Sequence, residues 1–178
     1  MCSSDLSRSE HSVLEEFYTK MINLFSKFNS PAKVECFSQH AVTKRGIFPV
    51  LGLVSIGDLE LEVLEGFGGH TYGQIYLYSR EEGLLFAADS LINLSSLTKE
   101  RADYSSLAAF LVTSVNVDSN LAKKERKALL EIAFETDKTL SRTGKRCLIC
   151  GGHGAVSVLE ENSLISYGAV VRYQPHNS

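Results

Sequence analysis

The chain has 178 residues, of which 44% are hydrophobic and 22% are charged, proportions typical of a soluble globular protein with a real core. The formal net charge of −3 provides neither the basic surface of a nucleic-acid-binding protein nor a polybasic membrane patch. No apolar run reaches the roughly 20 residues that a membrane span needs, and residues 1–30 lack the apolar segment of a secretory signal. We therefore expect neither nucleic acid nor a membrane as a partner.

The N-terminal segment has an unusual composition. Residues 2–6 read CSSDL, which resembles the translation of a sequencing-library adapter. We expect residues 1–6 to be a non-biological leader, with a genuine polar arm as the alternative. Residues 7–178 contain no internal repeat and no linker, and we expect them to form a single domain.

The first elements are predicted from helical and extended spacing. Ser12 to Glu15 has capping-box spacing, and the apolar residues that follow recur at helical spacing as far as Phe28. Lys33 to Phe37 is a candidate short strand. Residues 38–53 show no clean period and contain Gly and Pro, so we predict a loop there.

The central and C-terminal parts predict strands around one long helix. Asp118 or Ser119 is expected to cap a helix that runs to about Glu135, with its basic residues facing solvent. Strands, a helix and further strands together predict a mixed α/β layer structure. The predicted strands are Leu59 to Glu65, Gln74 to Ser79, Leu84 to Ala88, Arg146 to Cys150 and Ser163 to Tyr173.

The four cysteines do not predict a disulfide framework. Cys147 and Cys150 have the C-x-x-C spacing of a redox or zinc motif, but they lie in an apolar run that is typical of a buried strand. We interpret them as core thiols rather than as a redox pair. Reduced thiols favour a cytoplasmic protein.

Three potential metal ligands each follow an apolar or glycine-rich run. Imidazole and carboxylate together form a ligand set that suits zinc, iron or manganese. Strand ends and loops on a rigid sheet are where sites are usually built. The ligands are His70 in GHTYG (residues 69–73), Asp89 in ADS (88–90) and His153 in GGHG (151–154).

In their order and spacing these segments resemble the C-terminal half of a metallo-β-lactamase-fold hydrolase, over roughly residues 55–155. The first-half motif of that family, H-x-H-x-D-H, is absent from this sequence. The resemblance implies an α/β fold, a partial αββα sandwich of mixed sheets with outer helices, and we expect the chain to be the C-terminal portion of such a protein. Gly69 and Gly151 stand where the family often has Pro, and Ala88 where it often has Gly.

The resemblance also implies a dinuclear centre, with two zinc ions by default and iron or manganese as alternatives. His70 would complete one metal site, Asp89 would bridge both ions, and His153 would complete the other. A metal-activated water would then attack an ester, thioester, amide or phosphodiester of a small-molecule substrate. We expect the three side chains to converge at one edge of the sheet.

Three ligands divided over two ions leave each ion short of the usual three or more protein ligands. We therefore expect this chain alone to be inactive, as a fragment of a metal-dependent hydrolase. Two alternatives stay open: a non-catalytic binding or scaffold member of the same fold, and a di-iron oxygen-reductase relative that uses the same ligand positions.

Overall fold

A computed structural model of the chain describes residues 37, 41, 43–101, 103 and 116–170. The chain divides into two compact units, Met1–Gln39 and His40–Ser178, and every element named below belongs to the second. The leader expected at residues 1–6 and the helix predicted between Ser12 and Phe28 lie outside the described residues. The same holds for the strand predicted at Lys33 to Phe37, apart from Phe37, which is not in a strand.

Within the described residues, eight strands form one mixed sheet in which each strand lies beside its neighbour in sequence. All neighbouring pairs are antiparallel except β5 and β6, which are parallel. The strands are β1 (Thr43–Arg45), β2 (Phe48–Ile56), β3 (Leu59–Glu65), β4 (Ile75–Ser79), β5 (Leu84–Ala88), β6 (Leu148–Gly151), β7 (Ser157–Glu160) and β8 (Ser163–Ser166).

A parallel pair of neighbours requires a long crossover connection, and here the helix α1 (Ser119–Leu140) lies in that connection. Two short 3₁₀ helices, Leu94–Ser96 and Ser141–Thr143, also lie between β5 and β6. The mixed α/β class predicted from the sequence is thus confirmed. In the described part of the chain, no helix has the length and apolar character that crossing a membrane requires.

The core lies between one face of the sheet and α1. Strand alternation places Tyr76 and Leu85 on this face, and helical spacing brings Leu129 and Ala133 against it, all fully or almost fully buried. Burial of each large side chain stabilises the fold by about 1.5–3 kcal/mol. The hydroxyl of Tyr78 donates to Thr136 Oγ1 at 2.7 Å, so this buried polar group is satisfied.

The helix begins where the sequence predicts and ends later. The Asp118 side chain caps it by accepting hydrogen bonds from the amides of Asn120 and Leu121, both at 2.9 Å. It continues beyond Glu135 to Leu140 because the buried stripe continues to the last residue of the helix.

The loop predicted for residues 38–53 is wrong, since β1 and most of β2 lie there. Gly46, with φ of 56°, closes the turn between these two strands. The register of β2 against β3 shifts between Val50 and Gly52, a bulge that interrupts the alternation of side chains. The bulge explains why the sequence shows no clean strand period in this segment.

The strands predicted at β3, β4 and β5 are confirmed, and β6 overlaps its predicted segment. The last strand is shorter than predicted: β8 ends at Ser166 rather than at Tyr173, although residues 171–173 lie outside the described part. β7 is not among the strands predicted from the sequence. Its turn into β8 has positive φ at both Glu161 and Asn162, as in the two-residue hairpins that suit twisted strands.

Candidate metal centre

The loop after β3 carries His70, whose side chain is 21% exposed. Backbone hydrogen bonds tie this loop to the residues just before α1. The amide of Asp118 donates to the Gly69 carbonyl at 2.9 Å, and the amide of Val117 donates to the His70 carbonyl at 3.1 Å. The entry to the helix thus fixes the backbone position of His70.

Asp89 directly follows the last residue of β5. That residue, Ala88, has φ of 44°, in the left-handed region that residues other than glycine rarely adopt. The turn is closed by a hydrogen bond of 3.1 Å from the Ser90 amide to the Ala87 carbonyl. Glycine would adopt this backbone conformation without a steric penalty, whereas alanine does not.

His153 follows β6, which is the parallel neighbour of β5. Because parallel neighbours run in the same direction, the loops that leave their carboxyl ends emerge side by side. The amide of Gly152 donates to the Ala88 carbonyl at 2.8 Å, which joins the two loops directly. The pairing of β5 with β6 therefore brings His153 beside Asp89.

The three predicted ligands converge on one another. His70 Nε2 lies 3.5 Å from Asp89 Oδ2, and His153 Nε2 lies 3.6 Å from Asp89 Oδ1. The carboxylate thus lies between two imidazoles, each of which faces a different oxygen. Asp89 is 36% and His153 is 64% exposed, so the cluster is open to solvent on the His153 side.

The other ring nitrogen of His70 has a defined partner. His70 Nδ1 lies 3.0 Å from Asn116 Oδ1, which can only accept a hydrogen bond. Nδ1 therefore holds the proton of the neutral ring, and Nε2, 3.5 Å from Asp89 Oδ2, carries a lone pair. A hydrogen bond of this kind to one nitrogen is what orients a metal-binding histidine through the other.

Two residues of α1 contact the loops that carry His70 and Asp89. Neither residue was given a role from the sequence. Glu125 is fully buried and accepts hydrogen bonds from the amides of Phe67 and Gly69. Arg126 Nε donates to the Ser90 carbonyl at 2.9 Å. The sequence did indicate that Glu125 faces the core, because it lies four residues from both Leu121 and Leu129 on the apolar stripe of the helix.

The packing of Gly69 against α1 accepts neither proline nor a larger side chain at this position. Its amide donates to Glu125 Oε2 at 3.0 Å, whereas proline has no amide hydrogen to donate. A β carbon at this position would also collide with the backbone nitrogen of Ala122. Glycine at position 69 is thus required by the packing of the loop against α1.

The C-x-x-C cysteines are free thiols in the core region. Burial raises the pKa of Cys147 to about 12 and also raises the pKa of Cys150. Cys147 is buried and Cys150 is half-buried. Both thiols thus stay protonated at neutral pH, a state that does not favour redox chemistry.

Across the described ranges, no group of three or more His, Cys, Asp or Glu side chains is arranged to hold a metal ion. The cluster instead offers two pairs of donors, His70 with Asp89 and Asp89 with His153. A cavity of about 370 Å³ lies elsewhere, between the sheet and α1, and none of the predicted ligands lines it. One of its guanidinium groups, that of Arg45, is already paired with Glu62.

Comparison with known proteins finds no family model, curated protein or solved structure that matches this chain. The resemblance to the metallo-β-lactamase fold therefore rests on the sequence motifs alone.

Proposed function

We propose that His70, Asp89 and His153 are ligands of a metal centre in a metal-dependent hydrolase of the metallo-β-lactamase type, with zinc as the metal. The sheet and α1 would then belong to the C-terminal portion of an αββα sandwich. The observation that carries this proposal is the position of the Asp89 carboxylate between the two imidazole Nε2 atoms.

The separations suit metal binding better than direct hydrogen bonding. Two donors bound to one tetrahedral zinc ion at 2.0–2.1 Å are roughly 3.3–3.4 Å apart. The Nε2 to carboxylate distances of 3.5 and 3.6 Å lie close to that value. They are longer than the 2.7–2.9 Å of a strong hydrogen bond between an imidazolium and a carboxylate. Each pair can thus accommodate a cation with only a small movement.

The tautomer of His70 supports the same proposal. With its proton on Nδ1, the ring presents a lone pair to a carboxylate oxygen that also carries lone pairs. Two acceptor atoms 3.5 Å apart repel unless a proton or a cation lies between them. A cation between His70 and Asp89 would remove this repulsion.

When bound, zinc would acidify a water molecule that can attack an ester, thioester, amide or phosphodiester. The residues of this chain would hold and orient the centre: Asn116 fixes the tautomer of His70, and Asp89 offers one oxygen to each position. Each position has one imidazole and one shared carboxylate, short of the usual three protein ligands. We therefore expect this chain alone to bind zinc weakly and to be nearly inactive.

Titration of the chain with Zn²⁺ by calorimetry, and with Co²⁺ by visible absorption, tests the proposal without an activity assay. His70→Ala, Asp89→Asn and His153→Ala should each weaken binding, with Asp89→Asn the most damaging because its carboxylate serves both positions. The matched control is Asp58→Asn, the same substitution in the exposed turn between β2 and β3. Equal affinity in all four variants would contradict the assignment.

The expected inactivity needs its own measurement. The chain loaded with zinc should hydrolyse p-nitrophenyl acetate and bis(p-nitrophenyl) phosphate no faster than Asp89→Asn does. Rapid hydrolysis that is lost in Asp89→Asn would contradict the expectation that this ligand set is incomplete.

A further inference from the structure

The buried carboxylate of Glu125 is the most unusual charged group near the metal centre. It is fully buried, and an unpaired buried carboxylate would destabilise the fold. The structure compensates it with the backbone amides of Phe67 and Gly69, which donate to its two oxygens. Because Gly69 immediately precedes His70, this pair of hydrogen bonds holds the loop that presents the imidazole.

The next residue along the helix holds the second loop. Arg126 Nε donates to the backbone carbonyl of Ser90 at 2.9 Å, and Ser90 immediately follows Asp89. Neighbouring helix residues point about 100° apart because the helix has 3.6 residues per turn. Glu125 and Arg126 can thus contact two different loops from one position on α1.

The two loops are also joined to each other. Gln74, which ends the His70 loop, donates from Nε2 to Ser90 Oγ at 3.0 Å, and the Tyr76 hydroxyl lies 2.9 Å from the same atom. Gln74 and Ser90 are buried, so these bonds have little competition from water. The side chain of Ser90 is therefore held by Tyr76 of β4 and by Gln74, which directly precedes β4. Its backbone carbonyl is held by α1.

We infer that Glu125 and Arg126 are positioning residues that set the distance between His70 and Asp89 and thereby the metal affinity of the site. This inference rests on the proposed function. Its physical basis is that a metal site must hold its ligands within a few tenths of an ångström, and the partners that orient ligands affect metal affinity by 10- to 100-fold.

The experiment compares Glu125→Gln and Arg126→Met in the full chain. Glu125→Gln keeps the shape but presents an NH₂ group to one of the two backbone amides. Arg126→Met keeps the aliphatic part and removes the donor. Lys127→Met is the matched surface control on the same helix, and Ile132→Val is a core control that lowers stability without touching either loop.

Two readouts are measured: Co²⁺ affinity and amide hydrogen exchange of the metal-free protein by NMR. We expect each positioning variant to weaken Co²⁺ binding at least about 10-fold. Exchange should accelerate at Gly69 in Glu125→Gln and at Ser90 in Arg126→Met, beyond any change at core amides. Lys127→Met should match the wild type, and Ile132→Val should alter core amides alone.

The two readouts separate the two proposals. If the wild-type chain binds no metal, the proposed function fails, while accelerated exchange at Gly69 and Ser90 still supports the positioning of the loops. The inference would be overturned if exchange at Gly69 and Ser90 accelerated no more than exchange at the core amides. Unchanged Co²⁺ affinity in both positioning variants of a chain that binds Co²⁺ would overturn it as well.

Discussion

Gly152 lies against the carboxylate of Asp89, so closely that a β carbon at position 152 would collide with Oδ1 and lie 3.2 Å from Cγ. The same glycine donates its amide hydrogen to the Ala88 carbonyl at 2.8 Å. Two backbone segments and one carboxylate thus come together at the ends of β5 and β6, and only glycine leaves enough space for them at position 152.

Gly152→Ala should therefore displace the Asp89 carboxylate and weaken zinc binding by about 10-fold or more. The added methyl group should also destabilise the fold by about 1–3 kcal/mol, as overpacking does. Calorimetric zinc titration and urea unfolding measure the two effects. Gly57→Ala is the control: it has φ of 64° and open space for a β carbon, so it should reduce stability alone. Unchanged zinc affinity in Gly152→Ala would contradict the close approach.

Ala88→Gly should stabilise the fold, unlike most substitutions to glycine. The left-handed backbone at Ala88 is strained by about 1–2 kcal/mol, while the greater freedom of glycine in the unfolded chain offsets about 0.4–1 kcal/mol of the relief. We expect a net gain of about 0.5–1 kcal/mol in the free energy of unfolding, measured with urea. Ala87→Gly, at the buried neighbouring position, should instead destabilise by about 1 kcal/mol. Equal losses in both variants would contradict the strain at Ala88.

Stability should fall above pH 9 through Cys147. Burial raises the pKa of this thiol from 9.0 to about 12, so the unfolded chain loses its proton first as the pH rises. The contribution of the thiol is complete below pH 9 and is lost between about pH 9 and 12, by at most about 1.4 kcal/mol per pH unit. Urea unfolding at pH 7.5 and 10.5 should show a smaller decline in Cys147→Ala than in the wild type. An equal decline would indicate that other groups are responsible.

The cap of α1 should be worth about 1 kcal/mol, because Asp118 accepts hydrogen bonds from two amides at the start of the helix. Asp118→Ala should lower the free energy of unfolding by that amount, whereas Asp118→Asn keeps an accepting oxygen and should lose less. Asp58→Ala in an exposed turn should change stability by less than about 0.5 kcal/mol. Thermal or urea unfolding distinguishes the three variants. If Asp118→Ala lowered the free energy of unfolding no more than Asp58→Ala does, the role of the cap would be contradicted.

Local patterns predicted those elements whose side chains alternate or repeat without interruption. β3, β4 and β5 were found in the sequence because polar and apolar residues, or turn residues, mark them clearly. β2 was missed because a bulge between Val50 and Gly52 breaks its period. β7 was missed because the strand has only four residues, too few for a period to be recognised.

The same contrast holds for the candidate site. His70, Asp89 and His153 were identified from the sequence because each is a potential ligand that follows an apolar or glycine-rich run. Glu125 was not singled out, because it stands among the charged residues 123–127 and its charge outweighed its place on the apolar stripe. Its burial depends on the amides of Phe67 and Gly69, which belong to a distant loop.

The sequence by itself determined which segments extend or coil and which side chains have metal-binding chemistry, because these properties depend on neighbouring residues along the chain. Only the tertiary structure decided that the three candidate ligands meet. The parallel pairing of β5 with β6 places Asp89 beside His153, and the docking of the residue 66–70 loop on α1 brings in His70. Both contacts depend on hydrogen bonds between segments far apart in sequence, which no local pattern records.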